Sequence, residues 1–342
     1  MSKSQPGNAG AAAASKPAGH PLRVALNAGK FAVTFGILYY LYANGMLDFS
    51  RVQGVLTNAP VVTAVFAIFI VCALAGVLRW QLLLHGQGLP LHFRAAVQLT
   101  MIGIFFNTAI PGAVSGDLIK GYYVVRRQPE GRGRVRAFTT LLLDRLLGLS
   151  ALVFVSFFAM VFNLRSMLAN PSLRHLCGLI SLLWVGVAVF YAFVLLKSPV
   201  ARKLQKLLPR LPFGEIFVKF FNAVKAYESC RHLMVRGFFI SVAIHLAIIS
   251  SFILLAKALG GFETVPLAKF FFLVPFGLLV TAIPIAPAGL GTGHAAFLGL
   301  FHLVGSRAGA DLFTAYVSFQ ILMSLIGGIF YMYYRGHQTK TA

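Results

Sequence analysis

Five charged residues stand inside stretches that are otherwise apolar. Asp117 and Lys120 lie in SGDLIKGYYV, Asp144 and Arg145 in TTLLLDRLLGLSALVF, and Arg79 in GVLRWQLLL. Ionisable side chains are expensive to hold within a bilayer and mark headgroup, ion or proton pathways. Asp117 and Lys120 are three residues apart, so on a helix they share a face and can pair. Together they suit a zwitterionic or anionic group, or a proton relay. A plainer role is also open to Asp117, that of capping its own helix. Asp144 and Arg145 are neighbours and cannot face each other on a helix. One is expected to face the bundle interior, and Arg145 to reach the inner interface with its long side chain. Asp144, roughly 10 Å into its span at 1.5 Å per residue, equally suits an ion pair with another segment. Arg79 precedes Trp80 at the end of an apolar run, the pattern of an interfacial anchor.

Two related strings interrupt the apolar pattern. TAIPGAVSGD covers residues 108–117 and TAIPIAPAGLGTGH covers residues 281–294. Pro111, Pro284 and Pro287 stop helices and release backbone groups. Gly112, Gly116, Gly289 and Gly291 permit tight turns and close backbone approach. A new helix is expected to start near Ser115 and again near Thr292, each offering free N–H groups and a positive dipole end to an anion. Simple packing kinks without a ligand are the alternative. His294 follows the second break as Asp117 follows the first, and suits either proton binding or a hydrogen-bonded core position. Aligning Pro111 with Pro287 sets Asp144 opposite Gln320. His245, in SVAIHLAIIS, is a further buried titratable candidate.

These residues need helices to position them. The chain is 58% apolar and only 11% charged, which predicts an all-α polytopic membrane protein. Apolar runs predict six full spans at about 24–43, 61–84, 137–163, 176–196, 237–257 and 312–334. Two further apolar regions, about 95–124 and 267–304, contain the broken strings and are too long for one span. Seven Lys and Arg fall in residues 85–136 and nine in 197–236, which places those segments and both termini in the cytoplasm. The broken regions then become re-entrant hairpins from opposite sides. Two halves of the form span, span, hairpin, span result, in inverted topology, an architecture of secondary transporters. Residues 1–21 read as a disordered tail, 22–165 as the first repeat and 166–342 as the second. Residues 197–236 read as basic amphipathic helices at the inner membrane surface.

The formal charge of +22 is assigned to loops beside anionic inner-leaflet lipid rather than to nucleic acid. The three cysteines have no metal or disulfide spacing. No nucleotide loop, metal-ligand pair or nucleophile triad is present, so no cofactor and no metal are expected. GLGTGH lacks the strand–helix setting of a dinucleotide loop.

LRWQLLL, PGAVSGDLIKGYYV, LLLDRLLGLSAL and PAGLGTGHAAFL, in this order, resemble the membrane domain of bacterial lysylphosphatidylglycerol synthase/flippase proteins and their stand-alone relatives. The resemblance covers nearly everything after the tail. It implies a bacterial inner-membrane protein that moves a phospholipid or lipid-linked headgroup, with Asp117, Lys120, Asp144 and Arg145 around the first hairpin and Pro287, Gly289 and Gly291 in the second. The family commonly has Glu where this chain has His294. The aminoacyl-transferring synthase domain is expected to be absent, and a homo-oligomer is compatible with the pattern. An intramembrane enzyme of glycolipid or lipid-phosphate metabolism, or an accessory membrane subunit, are the alternative readings.

Overall fold

The computed structural model describes residues 34–109, 115–126, 133–169, 171–195, 214–283 and 289–338. Pro111, Gly112, Pro284, Pro287 and the 1–21 tail, all singled out above, lie outside the described residues. The described part of α1 covers residues 34–43. There follow α2 (Phe49–Thr57), α3 (Ala59–Gly86), α4 (Phe93–Ala109), α5 (Ser115–Arg126), α6 (Arg134–Phe162), α7 (Leu164–Ala169) and α8 (Pro171–Leu195). After them come α9 (Gly214–Lys225), a short 3-10 turn (Ala226–Glu228), α10 (Arg231–Leu259), α11 (Leu267–Thr281), α12 (Thr292–His302) and α13 (Gly309–Gln338).

Five of these helices are long and apolar enough to cross a bilayer: Ala59–Gly86, Arg134–Phe162, Leu173–Ala192, Arg231–Leu259 and Gly309–Tyr334. The chain is therefore a multi-pass helical membrane protein. The entry into α3 follows from its sequence. Asn58 accepts from the Val61 N–H, and Pro60 sits where no backbone donor is needed. The two regions broken by Pro and Gly each form a pair of short helices. With 17 residues, α4 reaches about 25 Å, and α11, with 15, about 22 Å, at 1.5 Å per residue. Both fall short of the roughly 30 Å hydrocarbon core.

Within each pair the short helices touch through glycine. A Cβ on Gly116 of α5 would collide with the Gly103 carbonyl of α4, and one on Gly277 of α11 would meet the Phe297 ring of α12 at 2.5 Å. Small residues at helix contacts let backbones approach closely, which is what holds helices together in lipid. The pairs also pack across the molecule. α4 lies on α13, where Gly327 fits under the Met101 carbonyl, and α11 lies on α6. α3 and α10 pack on each other in the middle.

The largest apolar core joins α10, α11, α12 and α13. There Phe252 stacks on Tyr316 at 4.3 Å and on Phe297 at 5.1 Å between ring centroids. The α9 segment departs from its expected place on the membrane surface. Val224 of α9 and Tyr227 after it are buried with Leu83, Leu143 and Leu147 of α3 and α6. The Tyr227 hydroxyl donates to the Leu83 carbonyl at 2.5 Å, and Gln87 Nε2 donates to the Ala223 carbonyl at 2.7 Å. The apolar face that predicted membrane contact is used against the bundle.

Candidate functional site

Charged side chains from three helices, α3, α5 and α6, converge where these meet α10, which adds the hydroxyl of Ser241. Arg79 of α3 binds Asp144 of α6 through two parallel bonds, Nε to Oδ1 at 2.7 Å and Nη2 to Oδ2 at 3.0 Å. The two side chains are 13% and 15% exposed. Paired bonds of this kind give the strongest and most directional contact between a guanidinium and a carboxylate. The third arm of the guanidinium, Nη1, donates to Ser241 Oγ of α10 at 2.9 Å. The Ser241 hydroxyl in turn donates to the Gly237 carbonyl. Two glycines lie alongside this arginine. A Cβ on Gly148 would stand 3.5 Å from Arg79 Nη1, and one on Gly237 3.6 Å from its Cγ.

A second pair lies beside the first. Arg145 Nε of α6 binds Asp117 Oδ2 of α5 in a short contact. Asp144 and Arg145 thus point to different partners, as neighbours on a helix must. Lys120 of α5 is only 7% exposed. Its stem lies along Gly103, where a Cβ would come within 2.8 Å of its Cδ. Its ammonium sits 4.5 Å from the centre of the Trp80 ring, a cation–π contact. Trp80 is held in place by a bond from its Nε1 to Thr140 Oγ1 at 3.3 Å. Lys120 feels all four other charges, those of Asp144, Asp117, Arg79 and Arg145, yet no carboxylate lies within ion-pair distance of it among the described residues. Among the described residues, three basic side chains share the space with two carboxylates, a formal excess of one positive charge when all are ionised.

Several expectations are corrected. Arg79 and Trp80, expected as an interfacial anchor, face the bundle rather than lipid, Trp80 at 1% exposure. Asp117 pairs with Arg145 instead of Lys120, the Arg145 side chain staying about one third exposed. Gln320, set opposite Asp144 by sequence, stays on its own helix, donating to Tyr316 Oη at 3.2 Å. Gly116 donates its N–H to Asn107 Oδ1 at 2.9 Å, so one of the helix-start donors offered to an anion is already used.

His294 is a fully satisfied cap. The Gly291 N–H donates to its Nδ1 at 3.1 Å, and its Nε2 stands 3.0 Å from Thr314 Oγ1. Thr314 in turn donates to the Ala310 carbonyl, which leaves its oxygen to accept from the histidine. Gly289 and Gly291 have φ of 71° and 79°, the left-handed region open to glycine. Asn107, Thr140 and Ser241 were missed in the sequence reading. Polar side chains inside apolar helices are a faint signal, since serine and threonine often bond only to their own backbone. No group of three or more His, Cys, Asp or Glu that could hold a metal is found among the described residues.

A multi-pass helical bundle with a buried, net-positive charge cluster defines a membrane protein with a polar centre. Residues 27–329 match the model of the lysylphosphatidylglycerol synthase TM region. The chain belongs to that family, whose matched part is a membrane region and not an aminoacyl-transferring domain. It is also similar to a UPF0104 membrane protein of Methanothermobacter thermautotrophicus, 24% identical over 288 residues, covering 77% of this chain and 80% of the relative. That relative is archaeal, so the family is not confined to the bacterial setting first expected. No solved structure matches the chain. Family membership makes this a lipid-related integral membrane protein.

Proposed function

We propose that this protein is a flippase-like transporter that moves a phospholipid or lipid-linked headgroup across the cytoplasmic membrane. The headgroup binds at the charge cluster while the acyl chains stay in the bilayer. The observation that carries this reading is Lys120, a buried ammonium facing an aromatic ring, beside two carboxylates already taken by arginines. A buried charge without a counter-ion is costly, and an anionic phosphate supplies the missing partner.

The architecture proposed is six spans and two re-entrant hairpins in an inverted repeat, with both termini cytoplasmic. Reciprocal packing supports it. The last span of the first half, α6, lies on α11, the first limb of the second hairpin. The last span of the second half, α13, lies on α4, the first limb of the first hairpin. The second spans, α3 and α10, meet each other. Rocking of one half against the other opens the cluster to each side in turn, as in other transporters built from inverted repeats.

Headgroup-labelled phospholipid in proteoliposomes of the purified protein tests this. Transport predicts that label crosses the membrane unaltered and faster than in protein-free vesicles. A chemically altered lipid by mass spectrometry would establish the enzyme reading. Neither movement nor alteration would leave an accessory role.

A further inference from the structure

α10 brings a second polar side chain toward the cluster, one turn beyond Ser241. His245 Nε2 stands 3.0 Å from the carbonyl of Gly148, four residues past Asp144 on α6. A carbonyl can only accept, so Nε2 carries the proton and Nδ1 presents a lone pair. That Nδ1 is buried and has no hydrogen-bond partner among the described residues. Gly148 is where the two cationic candidates meet, since Arg79 Nη1 lies 3.5 Å from the point where a Gly148 Cβ would stand.

The titratable groups around His245 are few. From α3 come Arg79, within electrostatic reach, and Cys72, whose Sγ lies 3.7 Å from the Ile244 carbonyl. From α6 comes Asp144, held by Arg79. From α8 comes Tyr191, which packs on Phe238 within electrostatic reach of Arg79 and keeps its hydroxyl buried. The remaining elements packed on α10 use theirs elsewhere. Arg51 of α2 lies beside Asp48 and Asp311, Tyr316 of α13 stacks on Phe252, and the Tyr227 hydroxyl binds Leu83. On α11, Lys269 sits in the first turn.

A proton on Nδ1 needs an acceptor, and the described residues supply none. It also needs relief from the charge of Arg79. An anionic phosphate oxygen entering the cluster meets both needs. We propose that His245 carries a proton that binds and travels together with an anionic lipid headgroup. Nδ1 takes the proton from water on the side where the lipid enters, becoming an imidazolium that donates to the phosphate. It returns the proton to water on the side where the lipid leaves. This rests on the transport reading above and adds its coupling.

Linkage sets the sign. The loaded protein holds one proton more than the empty one, so lower pH tightens binding, by up to about tenfold per pH unit where His245 titrates. Phosphatidylglycerol is a suitable probe, because its phosphodiester keeps its charge throughout the neutral range.

The test uses full-length protein in proteoliposomes with headgroup-labelled phosphatidylglycerol. A pH gradient, acidic on the labelled side, is expected to speed movement at least fivefold, and a protonophore to remove the gain. His245→Gln keeps a donor for the Gly148 carbonyl without a titrating nitrogen. It is expected to move lipid at a rate indifferent to the gradient. A second reading needs no variant: in weakly buffered detergent, phosphatidylglycerol added to the wild-type protein is expected to draw about one proton per lipid bound. Wild-type transport indifferent to the gradient, or binding without proton uptake, would overturn the assignment to His245 and leave transport standing. A fully gradient-driven His245→Gln protein would overturn it as well. No lipid movement at all would overturn the transport reading and this proposal with it.

Discussion

The two broken-helix regions share a pattern of residues but not a chemistry. In the first, Asp117, Lys120, Asp144 and Arg145 gather with Arg79 around a net positive centre. In the second, the matching places are neutral. The alignment that sets Pro111 on Pro287 puts Leu255 opposite Arg79 and Gln320 opposite Asp144. Leu255 is fully buried in apolar core, and Gln320 bonds within its own helix. Aromatic stacking of Phe252, Phe297, Phe313 and Tyr316 fills the space between. On the proposed inverted repeat, the second half shows what the packing needs in order to stand, and the first half what has been added. The proposed repeat sets a buried leucine and a neutral glutamine where the first half has Arg79 and Asp144, so on that reading the packing does not require an ion pair there.

That contrast can be broken by mutation. Asp144→Asn leaves the Arg79 guanidinium buried without its carboxylate, and is expected to cost about 3–5 kcal/mol, read as a large drop in thermal midpoint in detergent. Converting the pair to its second-half counterparts, Arg79→Leu with Asp144→Gln, is expected to recover most of that loss while leaving lipid movement abolished. Recovery of both would show that the charges serve neither fold nor transport.

Smaller effects sharpen the comparison. Gly116→Ala drives a methyl group into the Gly103 carbonyl, and is expected to cost about 1–3 kcal/mol, with Gly277→Ala against Phe297 as its second-half equivalent. His294→Ala removes a cap and leaves the Gly291 N–H unmet, a loss of about 1 kcal/mol, with transport within about twofold of wild type by the same logic. Lys120→Met takes a charge out of a buried place and is expected to leave the thermal midpoint unchanged or raised, since the ammonium has no carboxylate partner to lose.

Much of the helix layout was legible in the sequence. The expected span 61–84 lies within α3 and 137–163 coincides closely with α6, because continuous apolar length is itself the signal. The interruptions at 108–117 and 281–294 fall where α4 gives way to α5 and α11 to α12. The partners of the charges were not legible. Which guanidinium meets which carboxylate depends on the rotation of each helix about its axis and on contacts between distant segments. Arg79 beside Trp80 carries the local pattern of an interface, and only the packing of α3 against α6 and α10 turns both toward the bundle. His294 occupies the third position of its helix, the place where a Glu side chain reaches back to the cap residue. There the imidazole Nδ1 accepts from Gly291 as a Glu carboxylate would.

The most direct test of the account is the rate at which headgroup-labelled anionic phospholipid crosses proteoliposomes containing either the wild-type protein or Lys120→Met, the two matched for thermal stability. If the net positive cluster is the transport site, the wild type moves the lipid and the variant is slower by about tenfold or more, a loss of roughly 1.4 kcal/mol in stabilising the bound headgroup. Equal rates from two equally folded proteins would contradict it, and would return the cluster to a purely structural role.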